Sequence, residues 1–230
     1  MKAVQSKFVR HKLPCPKCGG SDPVSMNEDK SAHCFSCGTH YKNYPEACEG
    51  KIVEIETKPK NTFLNSYTGS FGPLTDRDIS QETATKYGVR RVLNADNQIS
   101  QHIYPYFNGN EIVGTKTRFV ESKGFSSTGT YEGTGLFGEQ LFRNTGGKYL
   151  TITEGECDAM ACYELMQSKW ACVSLKRGAA GAVKDIRESI EFVESFENVV
   201  LCFDNDKAGR ESARKVARIL KPGKAKIMTF

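Results

Sequence analysis

Residues 199–210, VVLCFDNDKAGR, constrain the fold of this 230-residue chain more than any other stretch. The five apolar residues at 199–203 are enough for a buried strand. Asp204 and Asp206 follow, and an extended backbone points residues i and i+2 to the same side. Apolar residues at helical spacing then predict a helix over 207–220. Two acids at the carboxyl end of a strand favour Mg²⁺, which prefers carboxylate oxygens. The alternative is a surface turn that happens to carry two acids.

A second corner of the same kind precedes this one. Residues 149–153, YLTIT, predict a strand, Glu154 follows it, and Gly155 permits a tight turn. Further elements alternate in the same way: helices at 159–166 and 182–196, and strands at 171–175 and 225–230. This alternation predicts a parallel sheet with right-handed crossovers. Carboxyl ends of parallel strands share one edge, so we expect Glu154 to converge with the aspartate pair.

Composition limits the classes of protein that fit. The net charge of +5 permits a polyanionic partner. No apolar run approaches the roughly 20 residues of a membrane helix, and no signal peptide opens the chain, so no membrane partner is expected. Nine cysteines in an apparently intracellular chain indicate metal ligands and buried thiols rather than disulfides. The motif GxxxxGK[ST] is absent, so nothing indicates an ATP-driven motor.

Residues 1–45 contain two CxxC motifs, Cys15-x2-Cys18 and Cys34-x2-Cys37, separated by fifteen residues. This spacing predicts one tetrahedral Zn²⁺ site. The alternative, four buried thiols, needs more apolar residues than the segment offers. The segment is also basic and carries histidine and aromatic rings, including His33, which favours nucleic-acid contact. The competing interpretation is a stabilising zinc module with a solvated surface.

Residues 46–62 are charged and lack usable periodicity, so we predict a linker and a mobile zinc module. Cys48 in this linker is predicted to be a spare thiol rather than a fifth ligand.

Residues 63–147 predict a mixed α/β segment. Thr75 or Ser80 is a candidate cap for a short helix that Gly88 ends. Strands at 98–107 and 111–120 flank Asn108-Gly109 and predict a hairpin. Residues 136–138, LFG, are expected to dock this segment onto the next.

Three cations follow the hairpin turn. Lys116 and Arg118 lie on one face of the second strand, and Lys123 follows in a loop. Together they predict a phosphate-binding surface. The alternative is a solvated surface, which charge clusters usually form.

The corner at Glu154-Gly155 and the Asp204-x-Asp206 motif followed by KAGR resemble a TOPRIM domain. This metal-binding fold is shared by bacterial-type primases, type IA and II topoisomerases, OLD nucleases and recombination-mediator proteins. With the zinc motif, the segment LTDRDIS at 74–80, Lys116-x-Arg118 and LFG, residues 13–230 resemble the primase half of bacteriophage primase–helicases of the T7 type.

The resemblance implies an α/β fold (α+β overall) in four parts. These are a zinc ribbon at 1–45, the linker at 46–62, the N-terminal subdomain of the primase domain at 63–147, and a Rossmann-like TOPRIM sheet at 148–230. The family has a further acid after the last strand, so we expect the TOPRIM part to be truncated at its C-terminal end. A fragment, a split gene and a separate small protein are all compatible with this expectation. The implied activity is synthesis of short RNA primers from NTPs on single-stranded DNA template. Implied partners and cofactors are a replicative helicase, fused or separate, structural Zn²⁺, and catalytic Mg²⁺ or Mn²⁺, in the cytoplasm of the host cell.

The resemblance also implies residue roles. Glu154, Asp204 and Asp206 match the acidic catalytic positions: the aspartates would hold Mg²⁺, and Glu154 would bind metal or take the hydroxyl proton. Nucleotide or template contacts are implied for five residues: Lys116, Arg118, Lys123, Arg77 and His33.

Two residues depart from the family pattern. His33 directly precedes Cys34, whereas the template-contacting histidine of the family lies two residues earlier, which leaves the recognised trinucleotide open. Asp78 stands where glycine is usual. The main alternative is a non-catalytic DNA-binding protein of the recombination-mediator type, which also combines a four-cysteine zinc site with TOPRIM. A TOPRIM nuclease or topoisomerase is less favoured because the chain has no plausible nucleophilic tyrosine motif.

Overall fold

The computed structural model describes residues 8–44 and 67–229. The chain folds as two units, Met1–Lys60 and Asn61–Phe230. The predicted linker and Cys48 lie outside the described residues, and the predicted domain bounds stay a prediction. No helix among the described residues is long and apolar enough to cross a membrane.

The first unit contains a four-stranded antiparallel sheet in the order β1-β2-β3-β4. The strands are β1 Phe8–Leu13, β2 Val24–Asn27, β3 Ala32–Cys34 and β4 His40–Tyr41. The core is small: Val24, Met26, Ala32 and Tyr44 are buried together with Cys15 and Cys34. So small an apolar cluster is typical of a module that a bound metal completes.

The second unit begins with an antiparallel sheet in the order β5-β6-β7-β8. Its elements are a 3₁₀-helix Thr75–Arg77, α1 Gln81–Lys86, β5 Arg90–Leu93, β6 Ile99–Asn108, β7 Glu111–Phe119 and β8 Phe125–Gly129. The structure contains the predicted hairpin as β6 and β7. Ser80 rather than Thr75 caps α1, because the Ser80 hydroxyl accepts a hydrogen bond from the Thr83 N–H at 3.2 Å. Helix α1 ends just before Gly88.

A parallel sheet in the order β10-β9-β11-β12 follows. Its elements are a 3₁₀-helix Glu139–Leu141, β9 Gly147–Thr153, α2 Glu156–Leu165, β10 Ala171–Ser174, α3 Gly178–Glu188, α4 Ile190–Glu194, β11 Phe196–Cys202, α5 Lys207–Ala217 and β12 Ala225–Ile227. The predicted alternation and parallel pairing are confirmed. The single helix expected over 182–196 was wrong: Ser189 leaves helical geometry at φ −113, ψ 22 and separates α3 from α4. The break accompanies burial of Phe192, Val193 and Phe196.

The connections place one crevice at the edge of this sheet. From β9 the chain crosses to β10 on one side, and β11 lies on the other side of β9. Right-handed crossovers that run in opposite directions put α2 on one face and α3 and α5 on the other. The loops after β9 and β11 therefore diverge at a switch point, where α/β sheets form ligand sites.

The two sheets share one core, and residues 136–138 join them as predicted. Phe137 exchanges backbone hydrogen bonds with Ser174 of β10, at 3.0 and 3.1 Å. Its ring stacks on Tyr87, with centroids 5.5 Å apart. The Tyr87 hydroxyl in turn donates to the Cys172 carbonyl at 2.8 Å. These contacts fix the antiparallel sheet against the parallel one.

Candidate active site and metal centre

The acidic corner forms where β9 and β11 end side by side, with Thr153 and Cys202 in register. The Asp204 N–H donates a hydrogen bond to Glu154 Oε1 at 2.9 Å. Gly209, in the first turn of α5, lies against both residues. A Cβ added there would lie 2.1 Å from the Asp204 carbonyl oxygen and 2.6 Å from Glu154 Oε1. Only glycine fits this approach, so α5 begins directly beside the two acids.

Electrostatics at this corner favour a bound cation. Burial raises the pKa of Glu154, and the charges of Asp204 and Asp206 raise it further, against hydrogen bonds from the backbone of Asp204 and Ala179. Asp206 caps α5, since its Oδ1 accepts from the Gly209 N–H at 2.7 Å. Mutual repulsion among these carboxylates would be relieved by a divalent ion.

The corner is nevertheless not a closed metal cage in this structure. Within residues 8–44 and 67–229, the one group of three or more metal-ligating side chains with ligand atoms within 4.8 Å of one another is formed by cysteines. Glu154 and Asp206 each accept a hydrogen bond from a backbone N–H instead. Glu154 therefore lies beside Asp204, through the hydrogen bond described above. The roles of the acids as metal ligands stay a prediction.

Sequence reasoning missed a fourth acid, Asp158. Its carboxylate folds back over Gly155, the N-cap of α2: a Cβ on Gly155 would meet Asp158 Oδ2 at 2.6 Å. Burial raises the pKa of Asp158, Asp204 raises it further, and Arg77 lowers it. The available signal was its place in the first turn of a helix, where acids are favoured by the helix dipole.

Strand β7 carries Lys116 and Arg118 and is called the basic strand below. A buried ion pair joins it to this corner. Lys116 Nζ lies 2.8 Å from Glu156 Oε1, with side-chain exposures of 16% and 4%. The same Oε1 accepts a hydrogen bond from the Tyr106 hydroxyl at 2.7 Å. Lys116 Nζ also lies 3.4 Å from the Lys176 carbonyl oxygen. Lys116 therefore faces the start of α2, and Glu156 is a second acid that sequence reasoning missed.

The other predicted cations lie in different settings. Arg118 is half-buried opposite His102 on β6, and its buried Nε has no hydrogen-bond partner among the described residues. Lys123 is exposed in the β7–β8 turn at φ 55. Arg77 is the last residue of the 3₁₀-helix. The preceding residue, Asp76, contacts His102 of β6, with 3.0 Å between Asp76 Oδ1 and His102 Nε2. The structure thus places Arg77 near the acids and Lys123 at the outer end of the basic strand.

The departure at Asp78 has a backbone explanation. Asp78 adopts the left-handed conformation, φ 51 and ψ 35. Glycine takes this conformation without steric cost, and aspartate is among the few other residues that tolerate it. The fold of the 3₁₀ segment is therefore kept with aspartate at this position.

The four cysteines form a metal centre in the first unit. Their sulfur atoms all lie within 4.8 Å of one another, and the Cys15–Cys37 and Cys18–Cys34 sulfurs are 3.7 Å apart. A tetrahedral ion with four thiolates at about 2.3 Å has sulfurs about 3.8 Å apart. Each CxxC turn closes by a glycine N–H that donates to the first cysteine carbonyl, at 2.8 and 2.9 Å.

The four thiols differ in their readiness to ionise. A hydrogen bond from Thr39 lowers the pKa of Cys37, whereas at Cys18 a backbone hydrogen bond is outweighed by the neighbouring thiols, which raise the pKa to about 12. Burial raises the pKa of Cys15, but the Tyr41 hydroxyl and nearby backbone N–H groups outweigh it and hold the pKa at about 6. The thiolate is the form that binds metal.

His33, on β3 beside Cys34, packs edge-on against Phe35, with ring centroids 5.0 Å apart. Its predicted template contact stays a prediction.

Comparisons with known proteins agree with these features. The Toprim-like family model matches residues 151–230. A DNA helicase/primase of Enterobacteria phage T3 is 35% identical over 231 residues, covering 96% of this chain and 39% of that protein. The primase fragment of the bacteriophage T7 primase–helicase is 32% identical, with a TM-score of 0.64, over 97% of this chain and 91% of the fragment.

A third similarity is to a chain in the structure of bacteriophage T7 lagging-strand DNA polymerase with primase domains bound to an RNA/DNA hybrid and dTTP. It is 34% identical, with a TM-score of 0.61, over 70% of this chain and 81% of that one. The parallel sheet with its acidic corner thus defines a protein that carries a Toprim-like domain. The curated relative is far longer, and this chain spans 39% of its length. The chain belongs to the bacteriophage primase–helicase family of T7 type and corresponds to the primase portion of its members. The recombination-mediator alternative is not favoured, since these relatives are named as primases.

Proposed function

We propose that this protein is a DNA primase that synthesises short RNA primers from NTPs on single-stranded DNA template. The observation that carries the proposal is the corner at Glu154 and Asp204, with a basic strand joined to it through Lys116 and Glu156. Primer synthesis needs this combination, because acids hold a divalent cation while cations bind phosphates.

The chain's own residues divide the chemistry as follows. Asp204 and Asp206 would hold Mg²⁺ or Mn²⁺, which supplies charge neutralisation at the triphosphate and the departing pyrophosphate. A 3′-hydroxyl attacks the α-phosphate, a P–O bond forms, and the bond to pyrophosphate breaks. Glu154 has a raised pKa, which suits a group that accepts the hydroxyl proton, and it is also placed to complete the ligand set. Four cations contact nucleotide or template phosphates: Lys116, Arg118, Lys123 and Arg77.

The first unit supplies template recognition. We infer that Cys15, Cys18, Cys34 and Cys37 bind one structural Zn²⁺, because the sulfur spacing suits a four-thiolate tetrahedron. His33 then lies on the strand that carries Cys34, where it contacts a template base. We keep the four parts predicted from the sequence as part of this proposal: 1–45, 46–62, 63–147 and 148–230.

The protein acts with a replicative helicase, fused or separate, in the cytoplasm of the host cell. The T3 relative, a DNA helicase/primase, supports this partner.

The decisive test is template-directed synthesis of a dinucleotide and longer RNA. It is run at saturating Mg²⁺ with residues 1–230 and with any in-frame extension. Asp204→Ala and Asp206→Ala should each lower the rate at least about a hundredfold, since metal-borne charge stabilisation is a large catalytic contribution. Asp96→Ala, at an exposed turn residue, is the matched control and should retain activity. Activity of Asp204→Ala equal to wild type would refute the mechanism, and an inactive wild-type chain in both forms would refute the function.

A further inference from the structure

An exposed aromatic ring lies on the cationic face of the antiparallel sheet. Phe125 is the first residue of the edge strand β8 and pairs with Arg118 of β7. Directly opposite residues of an antiparallel pair share one face, and Lys116, two residues from Arg118, lies on that face as well. Phe125 is 56% exposed, so it contributes little to the core.

The ring of Phe125 is held by a cation that is itself anchored. Lys116 Nζ lies 4.8 Å from the ring centroid, within cation–π range. Lys116 in turn contacts Glu156 Oε1 at 2.8 Å and the Lys176 carbonyl oxygen at 3.4 Å. The chain therefore fixes the ammonium that orients the ring, while the residue as a whole stays 56% exposed and accessible to a second planar group.

Chemistry decides which planar group fits. An open aromatic ring beside a basic track is the arrangement by which proteins stack the bases of single strands or nucleotides. Arg118 lies across from the ring, and Lys123 precedes it by two residues, so cations flank it where phosphates would pass. An aliphatic partner would gain nothing from this charge.

We propose that Phe125 is a base-stacking residue of this cationic face, on which a nucleobase of the template strand or of the incoming NTP lies. The proposal rests on the proposed function, since it takes nucleotides as the ligands of this face. It adds a binding contact that neither the sequence motifs nor the acidic corner requires.

The chain offers a matched control. Phe119 is also exposed, at 37%, and directly follows Arg118 on β7. Successive strand residues point to opposite faces, so Phe119 lies on the face away from Lys116 and Arg118. Phe119→Leu removes an exposed ring of the same type from the same hairpin but leaves the stacking face unchanged.

The experiment measures binding in two arms, a single-stranded DNA containing 2-aminopurine and 2-aminopurine riboside triphosphate. Each arm follows affinity and fluorescence quenching across a salt series. Phe125→Leu should weaken one arm about tenfold and remove its quenching, because base–aromatic stacking contributes about that much per base. The salt slope should not change, since the cations that neutralise phosphates are all still present. Phe125→Trp should retain binding and quenching, and Phe119→Leu should bind within about twofold of wild type. The arm that responds identifies the source of the base.

Equal binding of both probes by Phe125→Leu and wild type would overturn the inference, as would equal losses in Phe125→Leu and Phe119→Leu. The outcome is separable from the proposed function. Quenching that depends on Phe125 in a protein that makes no primers supports the stacking site and refutes the primase. Normal priming with unaltered base binding in Phe125→Leu does the reverse.

Discussion

Replacing Glu156 by glutamine tests how the basic strand is held to the acidic corner. Glu156 Oε1 accepts hydrogen bonds from the Tyr106 hydroxyl at 2.7 Å and from Lys116 Nζ at 2.8 Å. Glutamine keeps the shape and an acceptor oxygen but removes the negative charge. Lys116 is then left as a largely buried cation without its counter-ion.

The structure sets the size of the effect. Removing one partner of a buried ion pair costs about 3–5 kcal/mol. Lys116 retains 16% exposure, the Lys176 carbonyl and the ring of Phe125, and the amide still accepts from Tyr106. We therefore expect the free energy of unfolding of the second unit to fall by about 2–3 kcal/mol, below the full cost of an unpaired buried charge.

Urea unfolding followed by tryptophan fluorescence measures this change. Trp170 is the single tryptophan and packs against Tyr149 in the second unit, so it reports on that unit alone. With a slope of about 2 kcal/mol per M, the urea midpoint should fall by about 1 M at unchanged slope. Adding Lys116→Met should recover about 1–2 kcal/mol relative to the sum of the single changes, because the stranded charge is gone.

Glu211→Gln is the control, because Glu211 is an exposed glutamate on α5. Exposed substitutions of this kind stay within about 0.5 kcal/mol. A Glu156→Gln midpoint no lower than that of Glu211→Gln would show that the ion pair does not hold the strand. Additive effects of Glu156→Gln and Lys116→Met would lead to the same conclusion.

Three further changes test the remaining sites. Cys34→Ser should abolish zinc binding, measured by metal analysis, while the Trp170 transition of the second unit is unchanged; retained stoichiometric zinc would contradict the four-cysteine site. Arg118→Gln with Lys123→Gln should weaken single-stranded DNA binding and flatten the plot of log K against log salt by about 0.7 for each phosphate that is no longer neutralised, whereas an unchanged slope would indicate a solvated surface. Glu154 has a raised pKa in the fold, so the native state holds its proton more tightly and stability falls as pH rises from the unfolded pKa through the folded one. Glu154→Gln should therefore raise Tm at pH 7 but not at about pH 4, in buffer without added divalent cation, and an equal Tm of the two proteins at pH 7 would refute the shift.

Much of the fold follows from local patterns in the sequence. The alternation of apolar runs with helical spacing predicts the parallel sheet around β9 and β11, and one hairpin is predicted from Asn108-Gly109. The paired CxxC motifs predict the metal centre, since each turn is closed by its own backbone. Each of these features is marked by a pattern within a short segment, which is why a sequence shows it, although the sheet and the metal centre join segments that are distant in the chain.

The boundaries were less predictable. The chain from 182 to 196 has helical periodicity, yet it breaks at Ser189. Phe192, Val193 and Phe196 pack into the core at that break. Local helix propensity does not include such packing, so it does not predict the break. Asp158 had a local signal as an acid in the first turn of α2, but the rise in its pKa caused by the charge of Asp204 depends on the neighbouring strand.

The connections within the site depend on how distant segments pack. The Lys116–Glu156 ion pair joins residues 40 apart, and the Asp204–Glu154 hydrogen bond joins residues 50 apart. From the sequence, Lys116 belongs to a strand face that is as plausible in solvent as in a cleft. Folding decides between the two, because only packing of β7 against α2 removes water from the lysine and gives its charge one partner. Local patterns therefore specify which elements and which charges exist, whereas the packed fold specifies which of those charges are desolvated together.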